Sequence, residues 1–126
     1  MSFAGSTRSD VHATGHLSAI KLDVRDITAA LQADLGQALL SVIVGKEPRT
    51  VSRWLTGTKP PQATEQLLRN AYQVLQVIES VDAAPTARAW FMGMNPDLDD
   101  NSPAEALSEG QMRSVMAAAR NYVIAS

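Results

Sequence analysis

Cysteine is absent from the 126 residues. That excludes disulfides, thiolate catalysis and cysteine-based zinc sites. No apolar run approaches the roughly 20 residues of a membrane-spanning helix. The N-terminus lacks the basic segment and long apolar core of a secretory signal, so a cytoplasmic protein is expected. P-loop, dinucleotide-fingerprint, nucleophile-elbow and HExxH sequences are all missing. The only two histidines, His12 and His16, lie near the N-terminus, which leaves the rest of the chain without its usual general base. Their spacing of four would suit a metal pair on a helix. Gly15 and the polar neighbours oppose that helix, and residues 1–17 read as a disordered tail. No catalytic residue, cofactor or metal is therefore expected. Period-two alternation persists nowhere, which removes strands from consideration.

Helical spacing is what the chain has instead. In 18–35, Ile20, Val24, Ile27, Leu31 and Leu35 recur at steps of three or four, with Asp23, Asp26 and Asp34 off that stripe. Gly36 separates this helix from a second, Gln37–Val44, which carries Leu39, Leu40 and Ile43. Two prolines, Pro60 and Pro61, block helix in 58–63. A long helix follows over about 64–81. Leu67, Ala71, Val74, Ile78 and Val81 form its stripe, and Leu68, Tyr72 and Leu75 widen it. So wide a stripe fits core packing, and it also allows a homodimer seam. A break at 82–85 precedes a short helix, about 86–92, with Trp90 and Phe91 as packing groups. Asn95-Pro96 marks a turn, and Asp97, Asp99 and Asp100 form an acidic loop without the alternating pattern of a calcium loop. Ser102-Pro103-Ala104-Glu105 is a capping box. The last helix, about 111–123, places Met112, Val115, Met116, Ala119 and Val123 on one face. The expected fold is all-α. A helix-turn-helix subdomain spans 18–81, and a small helical module spans 82–126.

The most informative stretch is Pro48–Gly57. Val51, Trp54 and Leu55 share one face of a short helix, while Arg49, Ser52 and Arg53 share another. Pro48 suits the first helical position and Gly57 the left-handed residue beyond the last. Gly45-Lys46-Glu47 has the length of the turn in a helix-turn-helix. Glu47 stands at the N-cap, where it favours the helix dipole but opposes a nearby anion. The formal net charge is −2. It is unevenly spread, because 46–69 carries Lys46, Arg49, Arg53, Lys59 and Arg69 against Glu47 and Glu65. A local basic patch around one amphipathic helix is what phosphate contact requires. Arg49 or Arg53 could read a guanine edge, and Thr50 or Ser52 could touch a phosphate or base. Lys46 and Lys59 would hold the backbone. Double-stranded DNA is the expected partner.

Arg49-Thr50-Val51-Ser52-Arg53-Trp54 followed by Gly57 and Pro60 resembles the helix-turn-helix of the Xre/MbcA/ParS antitoxin group. Downstream, Ala89-Trp90-Phe91, Asn95-Pro96-Asp97-Leu98, Ser102-Pro103-Ala104-Glu105-Ala106-Leu107 and Glu109-Gly110 resemble the toxin-binding module of the same group. The likeness spans about 35–120. It implies a transcriptional regulator that is also an antitoxin, paired with a RES-type toxin that destroys NAD and repressing its own operon. It also implies that 112–126 faces the toxin, with Met112, Val115, Met116, Tyr122 and Val123 as contacts. Two other readings stay open. One is a stand-alone repressor of phage type, with no toxin. The other is a protein-binding module that has lost DNA affinity.

Overall fold

The computed structural model describes residues 22–126. The tail expected over 1–17, including His12 and His16, lies outside the described residues, as does Ile20. Seven α-helices form among the described residues: α1 Val24–Leu35, α2 Gln37–Val44, α3 Pro48–Leu55, α4 Gln62–Glu79, α5 Ala84–Met92, α6 Pro103–Ser108 and α7 Met112–Ala125. A single 3-10 turn, Pro96–Leu98, joins α5 to α6. The all-α expectation holds, and no described helix is long and apolar enough to cross a membrane.

α4 is the central strut, about 27 Å long at 1.5 Å per residue. It packs against α1 on one side and α7 on another, and it also touches α2, α5 and α6. Its buried stripe is Leu68, Ala71, Val74, Leu75 and Ile78. The stripe is wide because neighbours on several sides within one chain use it. Val81 was expected to extend it but lies exposed beyond the helix end. α4 stops at Glu79, where the Ser80 hydroxyl donates to the Val77 carbonyl at 2.6 Å. A side-chain bond of that kind competes with the helical ladder.

Val24, Ile27, Leu31 and Leu35 of α1 are buried as their spacing predicts. Thr28 is buried among them, and its hydroxyl donates to the Val24 carbonyl at 2.7 Å, so no polar atom is stranded there. Residues from both 18–81 and 82–126 enter one continuous core, which runs from Val24 through Trp54, Ile78 and Phe91 to Ala119.

Helix starts differ from expectation at α4 and α5, and the cap differs at α6. α4 begins at Gln62, inside the stretch 58–63 where Pro60 and Pro61 were expected to block helix, because Pro61 serves as its N-cap. α5 begins at Ala84 rather than near Thr86, because Pro85 fits the first helical turn instead of preventing it. At α6 only half of the capping box forms. The Glu105 N–H donates to Ser102 Oγ at 3.1 Å. The Glu105 carboxylate, however, accepts from the Ser102 hydroxyl at 3.1 Å rather than from its backbone N–H. That N–H donates to Asn101 Oδ1 at 3.2 Å.

Candidate functional site

α2 and α3 are joined by a tight turn. Gly45 takes the left-handed conformation (φ 66°, ψ 33°) that ends α2, and the Lys46 N–H reaches back to the Ser41 carbonyl at 3.2 Å. A Cβ at Gly45 would meet no neighbour, so the positive φ alone selects glycine. Pro48 occupies the first turn of α3. At the other end Gly57 has φ 122°, and the Thr58 N–H donates to the Arg53 carbonyl at 3.1 Å. The chain therefore enters and leaves α3 sharply, and the helix stands between two turns.

The faces of α3 divide as the spacing predicts. Val51 is fully buried and Trp54 is 3% exposed, both packed toward α1 and α2. Arg49 and Arg53 are exposed, and Thr50 and Ser52 are half-buried beside them. Lys46 in the turn and Lys59 past the helix are exposed. Arg49, Thr50, Ser52 and Arg53 thus all keep some exposure on α3, and Lys46 and Lys59 stand in the chain on either side of it. Arg49 lies 3.6 Å from Glu47, an exposed pair that is worth little in water. Among the described residues Arg53, Lys46 and Lys59 have no carboxylate within ion-pair distance. Arg69, also counted in the basic stretch, instead sits on α4 and binds Glu65 at 2.9 Å.

Two further residues belong to this surface. Gln37 opens α2 and donates through Nε2 to the Pro48 carbonyl at 2.9 Å and to Ser52 Oγ at 2.7 Å. It ties the start of one helix to the body of the next and fixes the Ser52 hydroxyl. Arg25, in the first turn of α1, is exposed and shares with Lys59 and Trp54 an open cleft of about 210 Å³. Gln37 carried no sequence signal beyond its position at a helix start. Arg25 was readable only as an off-stripe residue.

The expected partner-facing residues are placed differently. Val115 is fully buried and belongs to the core, so it offers no surface to a partner. Met112, Met116 and Tyr122 are half-buried and pack against that core. Val123 is half-buried, and its neighbour Ile124 is 81% exposed. The exposed apolar part of α7 is thus its last turn. Tyr122 is held by a ring contact with Trp90 (centroids 6.2 Å apart) and by a hydrogen bond from its hydroxyl to Asp82. That bond raises the phenol above its ordinary range. Asn121 Nδ2 adds a bond to Asp97 at 3.2 Å.

Away from both surfaces, Glu79 closes α4 beside Asp34 of α1. Burial pushes its carboxyl up to about 7, and the hydrogen bond and like charge of Asp34 reinforce the shift. Arg88 of α5 approaches through Nε, which donates to the Asp34 carbonyl oxygen at 3.1 Å rather than to a carboxylate.

No protein-family model matches this sequence, and no curated protein does. The fold is similar to that of a chain in the crystal structure of the M. tuberculosis MbcT–MbcA toxin–antitoxin complex, with a TM-score of 0.70. Sequence identity is 23%, and the likeness covers 82% of this chain and 96% of that one. At that identity the likeness is one of fold. The all-α fold expected from the sequence is the fold observed among the described residues.

Proposed function

We propose that this protein is a non-enzymatic, cytoplasmic antitoxin that also binds double-stranded DNA and represses its own operon. The observation that carries the DNA-binding part is α3. Its apolar face is anchored by Val51 and Trp54, while Arg49, Thr50, Ser52 and Arg53 on α3, and Lys46 and Lys59 next to it in the chain, keep exposed surface. Basic side chains on a short helix between two tight turns suit the major groove. Likeness to a chain from a toxin–antitoxin complex supports the antitoxin part. The toxin we assign is of the RES type, which degrades NAD, and the DNA-bound form is a homodimer. The last turn of α7, with Val123 and Ile124, is the part of the C-terminal helix with exposed apolar surface to offer that toxin.

The test is a titration of the protein against its own upstream DNA and a scrambled duplex at two salt concentrations. Tight, sequence-preferring and salt-sensitive binding is expected. Equal affinity for both duplexes would remove the regulator. Rescue of growth on co-expression with the toxin tests the other half.

A further inference from the structure

An apolar surface lies apart from α3 and from the last turn of α7. Leu39 and Val42 on α2, Met92 at the end of α5, Met94 just beyond it and Ala104 on α6 line an open groove of about 310 Å³. Val42 is 46%, Met92 61% and Met94 81% exposed. A contiguous apolar strip of this kind is unusual on a chain that has no use for it. Methionines at its mouth can repack around side chains of varied shape. The groove is open along its length rather than enclosed. A small molecule would keep too much of its surface wet, whereas a peptide segment could lie along the strip.

The rim sets the charge of the occupant. Asp100 and Glu105 line the groove with Ser102, and Asp99 is next to Asp100 in the chain. Asp99 and Asp100 both take left-handed backbone, at φ 55° and 66°. The loop is locked there by the Asn95 carbonyl, which accepts from the Leu98 and Asp100 N–H groups at 2.9 Å each. Glycine would hold such a conformation without steric cost. An aspartate in its place at 100 keeps a carboxylate beside the groove at some expense in backbone strain. A second copy packed through the same groove about a twofold axis would bring these acidic rims together, which like charges oppose.

We propose that this groove receives a basic amphipathic segment of a partner protein, with aliphatic side chains in the strip and Lys or Arg against Asp100 and Glu105. The inference deepens the toxin-binding reading and rests on it for the existence of a protein partner.

The experiment is a methyl NMR titration of the full chain with a short amphipathic Leu/Lys peptide and with its Leu/Glu counterpart. The expected result is movement of the Met92 and Met94 methyl signals with the Leu/Lys peptide only. Asp100→Gly combined with Glu105→Gln should weaken that binding roughly tenfold at low salt. Asp100→Gly alone should leave the melting temperature unchanged or raised, which separates loss of charge from loss of fold. Met92→Glu should abolish binding of the Leu/Lys peptide, read at the Met94 methyl, without unfolding so exposed a site. Equal response to both peptides, or signals that stay still, would overturn the proposal. So would signals that move with protein concentration alone as a dimer forms, because a second copy would then fill the groove. Peptide binding without toxin neutralisation would remove the antitoxin and keep the groove. Neutralisation undiminished by the paired substitution would do the reverse.

Discussion

Arg53 and Trp54 are adjacent in sequence and opposite in role. Arg53 is exposed on α3, whereas Trp54 closes the core beneath it. Arg53→Ala is expected to cost about 1–3 kcal/mol of affinity for the cognate duplex and to leave the melting curve in place. Trp54→Ala is expected to lose about 3–5 kcal/mol of folding stability, read by urea denaturation. Both roles were legible, because a spacing of three and four identifies a face without any structure. Gln37 was not legible: its partners, Pro48 and Ser52, are 11 and 15 residues away, and no local pattern signals a bond across that span. Glu79 was equally hidden, since its environment comes from Asp34 on another helix. Its folded-state pKa lies above its unfolded value, so the folded chain holds the proton more tightly. The stability it contributes is complete below about pH 4.5 and falls as pH rises to about 7. Glu79→Gln should therefore flatten the decline in melting temperature between pH 5 and pH 8. A decline as steep as in the wild type would show that Glu79 is not its source.

At the scale of elements, the best-read helices were those with strict periodicity. α1 and α3 fell where the apolar stripes put them. Ends were read less well, because a helix end is decided by competing hydrogen bonds. Ser80 withdraws α4 from Val81, and Asn101 takes the Ser102 N–H that Glu105 was expected to bind. The stripe of α7 was correctly seen as apolar, but spacing alone cannot tell a face turned to the core from one offered to a partner. Val115 faces inward, and the exposed apolar group is Ile124. α7 is pinned near its end by Tyr122 to Asp82 and by Asn121 to Asp97. Tyr122→Phe is expected to cost on the order of 1 kcal/mol of stability without altering duplex affinity. Urea denaturation and the DNA titration together check this.

For the whole molecule, the uneven charge is the property on which the proposed encounter with DNA rests. The net charge is −2, yet exposed Lys46, Arg49, Arg53 and Lys59 surround one helix. Affinity for DNA should fall linearly on a logarithmic salt axis, at about 0.9 per phosphate neutralised. Lys46→Ala or Lys59→Ala should each reduce that slope by about one and weaken cognate and scrambled duplexes alike. An unchanged slope would place that lysine off the backbone. A break separating the helices up to α4 from those after it was readable in the sequence. Their shared core was not, because it depends on pairings between helices distant in sequence, α1 with α4 and α5, and α2 with α6.

That shared core bears on how long each activity lasts. α3 rests on α1, α1 on α4, and α4 on α7, with no separate core beneath either end. A single cooperative unit opens as a whole. A protease that captures the opened chain would therefore end the proposed repression and the proposed toxin restraint in the same event, and the two should decay with one half-life after synthesis stops.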